Sequence, residues 1–190
     1  MNNLEFLLAA LGGTILLTMI GSAAPQVKKE EHVNVPAIEA RPEDVSSIDA
    51  IIKATYETIS GGVAVPRQWS RDLSLFDPNA RLLVVSVNPE TKMAKTHSLT
   101  HEQYVDGADS FMVKEGFVER ELGHKTNQFG HVASVLSSYE GKLSSSGKVI
   151  ARGVNIFTLY NDGKRWWILS IIWDEEHPDN LIPAELLPKQ

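Results

Sequence analysis

The chain has 190 residues, a net charge of −6 and a pI near 5.5. That length is enough for one domain with a sizeable core, and the negative balance argues against a groove for nucleic acid. There is no cysteine, which excludes disulfides, thiolate catalysis and cysteine-based zinc or iron–sulfur sites.

Residues 6–20 read FLLAALGGTILLTMI and are followed by Gly21-Ser22-Ala23-Ala24 and then Pro25. An apolar run ahead of small residues predicts a secretory signal peptide over 1–23, cut after Ala23. The run is short for a membrane span, so no stable span is expected after cleavage. The start lacks Lys and Arg and carries Glu5, which leaves an uncleaved anchor as the alternative. A periplasmic or secreted location follows from the first reading. Residues 24–42 contain three prolines and mixed charges without a period, and read as a flexible tether.

The folded domain is expected over 43–190. Val45, Ile48, Ile52, Tyr56 and Ile59 recur at steps of three and four, which predicts an amphipathic helix stopped by Gly61-Gly62. Pro66 is placed to start a short second helix with Trp69, Leu73 and Phe76 on one face. Asp77-Pro78-Asn79 reads as a turn, RLLVVSV as a strand and Asn88-Pro89 as another turn. Thr100 and Gln103 have capping-box spacing for a third helix that ends at Gly116. Four strand-like segments follow: FVERELGHKTN, GHVASVLSSYEG, ARGVNIFTLY and RWWILSIIW, the last entered through the tight turn Asn161-Asp162-Gly163. The proline-containing tail from Glu175 reads as irregular. Helices first and a meander afterwards is an α+β pattern.

Several groups carry chemistry. His97 and His101 have i, i+4 spacing, but His97 precedes the Thr100 cap, so the two are not expected on one helix face. His124 and His131 lie on adjacent strands without a third ligand. No metal site and no cofactor are expected, and no glycine-rich nucleotide loop is present. In Glu119-Arg120-Glu121, strand alternation turns either both glutamates or Arg120 inward, never all three. Paired carboxylates in a cavity would supply a base, and an exposed, mutually neutralising strand edge is the reading preferred here.

The order of elements, together with TYETISGG, RQWSRDLSLFDPNARL, EGFVERELGHKTNQFGHVASVLSSYEG, RGVNIFTLYNDGKRWWILSIIW and PDNLIPAELL, resembles the nuclear transport factor 2-like superfamily. The similarity spans roughly residues 43–187 and leans toward its polyketide-cyclase-like (SnoaL-like) and ketosteroid-isomerase-like branch, among bacterial proteins of unassigned function. It implies a cone-shaped barrel: a curved, mainly antiparallel sheet wrapped around three N-terminal-side helices, with a pocket inside and a convex face that pairs with a second subunit. Against ketosteroid isomerases, Tyr56 corresponds to the helix tyrosine and Asn155 to a donor aspartate. The base aspartate has no counterpart, since its position falls near Val84.

Given that resemblance, period-two alternation turns Phe157 and Leu159 inward with Asn155, and across the hairpins Trp166, Ile168, Ser170 and Ile172, with His131, Ala133, Val135, Ser137 and Tyr139. The implied site has His131, Tyr56 and Asn155 as catalytic candidates, His131 because imidazole titrates near neutrality. Trp69, Phe157, Trp166, Ile168, Ser170, Ile172 and Tyr139 are the ligand-contact candidates. Each has a structural alternative: a core tyrosine, a turn histidine, a packed tryptophan. The other face of the last strand, Trp167, Leu169, Ile171 and Trp173, is expected to form a homodimer contact. Three functions follow: a small-molecule-binding domain, a proton-transfer enzyme (isomerase, dehydratase or cyclase) acting on a small apolar substrate, and a homodimeric interaction module.

Overall fold

A computed structural model describes residues 32–188, Pro89 excepted. The leader and the first part of the tether lie outside the described residues. No helix among the described residues is long and apolar enough to cross a membrane.

The expected first helix is two: α1 (Pro42–Val45) and α2 (Ile48–Ile59), split where Ser47 turns extended and its side chain accepts from the Ala50 amide. Serine is a good N-cap, so capping chemistry overrides the continuous apolar period. Helix α3 (Trp69–Leu73) is short and leads into β1 (Phe76–Val87), which takes in the expected Asp77-Pro78-Asn79 turn as an irregular strand entry. Strand β2 (Ala94–Leu99) has no apolar alternation to announce it and is mostly exposed. Helix α4 (His101–Glu115) begins with the Thr100–Gln103 capping box and ends at Gly116, whose φ of 67° suits glycine. His97 lies on β2 and His101 opens α4, so they do not share a helix face.

The meander forms as read: β3 (Phe117–Phe129), β4 (Val132–Leu143), β5 (Val149–Asn161) and β6 (Trp166–Glu175). The six strands are ordered β2-β1-β6-β5-β4-β3, antiparallel except for β1 beside β6. The concave face packs on α2 through Ile51, Ile52, Phe157, Leu159 and Ile168, and this is the main core. A second cluster under α4 joins Val105, Ala108, Met112 and Phe117 to Trp69 and Ile59.

Strand β6 answers the question its two apolar faces pose. Thr158 is opposite Ser170 and Leu159 opposite Ile168, so Leu169 is an extra residue, a β-bulge. Before the bulge, Trp166 and Ile168 face inward as expected. Beyond it the parity inverts, because one added residue moves every later side chain to the other face. Ile171 is opposite Phe157 and Trp173 opposite Asn155, both inward, while Ser170 and Ile172 face outward. Ser170 and Ile172 are therefore not cavity residues, and Ile171 and Trp173 are not on the convex face. Trp167 and Leu169 do lie outside. Trp167 stacks on Tyr160 with Arg165 3.6 Å above its ring and donates to Asp162.

A second bulge at Leu122 separates Glu121, opposite Tyr139, from Gly123, opposite Ser138. The register places Glu119 opposite Gly141 and Glu121 opposite Tyr139, so both glutamates are inward. Arg120 points out and meets Glu140 at 3.1 Å. The exposed-edge reading of this tripeptide is thus overturned. The tail, though irregular apart from one 3-10 turn at Ala184–Leu186, is docked: Ile182 and Leu186 are buried, and Leu186 lends its carbonyl to Ser138. Gly123 permits that approach, since a Cβ there would lie 2.7 Å from the Leu186 carbonyl oxygen.

The bulge makes a direct prediction. Ile171→Ala should cost about 2–5 kcal/mol, as expected for a fully packed isoleucine, and Ile172→Ala less than half of that. Denaturant unfolding of the two variants checks this, and the reverse order would restore the unbulged register.

Candidate functional site

Between α2, α4 and the concave face lies a cavity of about 70 Å³. A water needs on the order of 10–15 Å³ on this measure, so there is room for several. Its polar groups come from six elements: Thr55 and Tyr56 from α2, Asp72 from α3, Tyr104 from α4, Glu119 from β3, Tyr139 from β4 and Asn155 from β5. Each projects inward by strand or helix periodicity, and Asn155 is set beside Trp173 by the shifted register of β6.

A directed hydrogen-bond chain leads away from the cavity. Ser137 Oγ donates to Glu121 Oε1 at 2.5 Å. A hydroxyl has one proton, so the 2.7 Å contact between Tyr56 and Ser137 has the phenol as donor. The phenol oxygen then accepts from Asn155 Nδ2 at 3.1 Å. This fixes the amide orientation of Asn155, because only its NH₂ can serve an oxygen whose proton is already committed. His124 reaches Glu121 at 3.0 Å and closes the outer end. Tyr56 is therefore a strut of this chain rather than a donor into the cavity.

Asn155 also holds Glu119. Burial among apolar and aromatic side chains pushes the Glu119 carboxyl up to about 8, and hydrogen bonding from Asn155 offsets part of that rise. The phenols of Tyr56, Tyr104 and Tyr139 are raised, first by burial and then by the Glu119 charge, so all three stay protonated at neutral pH. On another wall, Asp72 is buried, accepts from Thr58 and contacts His101 Nε2 at 2.8 Å. The His101 ring leans on Phe76. Glu119 and Asp72 thus bring two carboxyls to one small cavity.

The structure brings together four of the candidates named from the sequence: Tyr56, Asn155, Phe157 and Tyr139. His131 is not among them. It sits exposed in the β3–β4 turn, where the strand pairing begins only at Val132, so it has no inward direction to take. Trp69 is buried against Tyr104 and donates to Asp109, outside the cavity wall. Trp166 and Ile168 face inward but are consumed by the core below the cavity. Sequence reasoning missed Asp72, Tyr104, Glu119 and Trp173. The inward option for Glu119 and Glu121 was the available signal for one of them.

Among the described residues, His32, Glu102 and Asp106 form one group with metal-ligand spacing, on the surface of α4. It lies outside the cavity wall and also straps the tether to α4, with the Val33 amide donating to Asp106 at 2.8 Å.

No protein-family model matches the chain, and no curated protein matches it. Solved structures do. A protein of unknown function with a cystatin-like fold from Nostoc punctiforme aligns at 8% identity and TM-score 0.54, covering 74% of this chain and 97% of that one. A nuclear transport factor 2-like protein of unknown function from Pseudomonas putida aligns at 10% identity and TM-score 0.53, covering 75% and 95%. A protein of unknown function from Mycobacterium tuberculosis aligns at 13% identity and TM-score 0.52, covering 73% and 80%. The chain has the nuclear transport factor 2-like α+β fold, as its sequence resemblance implies.

The half-buried Glu119 carboxyl has a thermodynamic signature. A carboxyl raised from 4.5 to about 8 on folding holds its proton longer in the native state than in the unfolded chain. Stability should therefore fall as pH rises from about 4.5, with the loss complete above about 8. Glu175, raised to about 7, adds to the same slope. Glu119→Gln should about halve the slope between pH 4.5 and 7 and remove it between 7 and 8, as measured by urea unfolding across that range, and an unchanged slope would place the carboxyl in water.

Proposed function

We propose that the cavity beside Glu119 and Asn155 binds a small, largely apolar molecule carrying one polar group. The observation behind this reading is the Glu119 carboxyl, set in an apolar cavity with an oriented amide as its polar neighbour. A perturbed acid in a cleft marks a candidate site, and an apolar cavity with few convergent polar groups is the usual composition of one. The test is a fragment screen by native mass spectrometry on the wild type and on Ala151→Leu, whose added carbons would enter the cavity. Fragments should bind the first and not the second. Equal binding to both would exclude this cavity.

Proton transfer is the second reading, and its support is the same carboxyl. With a pKa near 8, both protonation states are accessible near neutrality, which suits an acid/base group. In this role Glu119 replaces His131. The measurement is hydrogen–deuterium exchange at the carbon next to the carbonyl of small cyclic ketones. The wild type should accelerate it and Glu119→Gln should lose at least a hundredfold of that acceleration; equal rates would leave a binding protein.

Export and self-association belong to the same proposal. The apolar leader supports export, with a mature N-terminus at Ala24. The outward surface of Trp167 and Leu169, continued by the exposed Ile156 and half-buried Ile172, supports a contact with a second copy. Sedimentation of Leu169→Glu should show a monomer where the wild type is a dimer, and a monomeric wild type would remove the idea.

A further inference from the structure

The cavity has a charge character that its small-molecule reading leaves open. Sixteen residues line it, and seven of them are aromatic. Two carry carboxyls, Asp72 and Glu119, and none is Lys, Arg or His. Neighbouring rings on its wall stand at steep angles to one another. Tyr104 meets Trp173 at 6.3 Å and 79°, and Tyr56 meets Phe157 at 6.5 Å and 68°. Aromatic faces are the negative poles of their quadrupoles, and a cation within about 6 Å of a ring centroid is attracted to them. The carboxyl at the end of such a box has no countercharge on the cavity wall.

The groups around Glu119 agree in sign. Tyr56, Tyr104 and Tyr139 are neutral phenols, and Asn155 is a neutral amide. Asp72 and Glu121 are acids, each engaged by a histidine that lies outside the cavity wall, His101 and His124. An anionic guest would meet two carboxyls with no Lys, Arg or His on the cavity wall to balance them. A cationic guest would provide the missing countercharge and meet the rings favourably.

Resting on the binding reading above, we propose that the ligand is a small organic cation, an ammonium head group held by aromatic rings with Glu119 as its counter-ion. The cavity volume admits about five to seven water-sized groups, which is the size of such a head group.

The test compares choline with its neutral isostere, 3,3-dimethylbutan-1-ol, by calorimetry on the full chain at about pH 6 and about pH 9. Choline is charged at both, so a pH effect on its binding reports on the protein. The expected result is choline binding roughly tenfold more tightly than the alcohol at the higher pH, in line with a desolvated cation–π contact. Its advantage should shrink at the lower pH, where Glu119 holds its proton. Glu119→Gln should remove the preference for choline over the alcohol. Equal affinities, or tighter binding of the alcohol, would overturn the cation assignment while the binding site stands. Binding of neither compound to wild type would count against both. Choline binding that persists in Ala151→Leu would place it elsewhere and overturn the assignment.

Discussion

The Tyr56 hydroxyl is the point at which the central helix is tied to the sheet. It donates to Ser137 on β4 and accepts from Asn155 on β5, and Ser137 passes the chain to Glu121 on β3. One phenol thereby links α2 to two strands through buried bonds and, through Ser137, to a third, each bond dependent on the direction of the next. The amide of Asn155 has no freedom to turn over, because its NH₂ group is committed to the Tyr56 oxygen. Burial sets the carboxyl high, and Asn155 keeps it from rising further. The polarity of the cavity is an outcome of how the helix is anchored.

The sheet supplies the walls, and its irregularities decide which residues those walls contain. The bulge at Leu169 brings Ile171 and Trp173 under the helices and sends Ser170 and Ile172 outward. The bulge at Leu122 lets Gly123 come against the docked tail while Glu119 and Glu121 remain inward. Bulges add twist and curvature, which a sheet needs in order to close around a helix.

Much of the fold is legible in the sequence because its signals are local. Capping at Thr100, the stop at Gly116 and the turn at Asn161-Asp162-Gly163 are written in neighbouring residues, and the structure places them as read. The site is legible only in part. Tyr56 and Asn155 follow from the family resemblance, and Phe157 and Tyr139 from alternation along uninterrupted stretches once that resemblance sets which face is inward. Trp173 does not, because a single inserted residue in a strand apolar on both faces leaves no mark in the pattern. Strand β2 has no pattern of its own for a related reason, since its exposed AKTHSL has no face to bury. His131 misled because its chemistry was right and its position, in a turn, was not. Glu119 was visible as one of two options, and only the pairing with β4 chooses between them.

The resulting arrangement is a fold shared with structures of unknown function and a cavity whose own groups define a chemical preference: aromatic, acidic and small. A buried acid with a neutral partner is costly to ionise, and a ligand that supplies positive charge or accepts the proton would relieve that cost. The central claim is the state of one carboxyl. A carbon-13 nuclear magnetic resonance titration of the Glu119 side chain tests it most directly. The account predicts a midpoint near 8. A midpoint at the ordinary glutamate value would contradict it, because the Glu119 carboxyl would then be solvated rather than held in an apolar cavity.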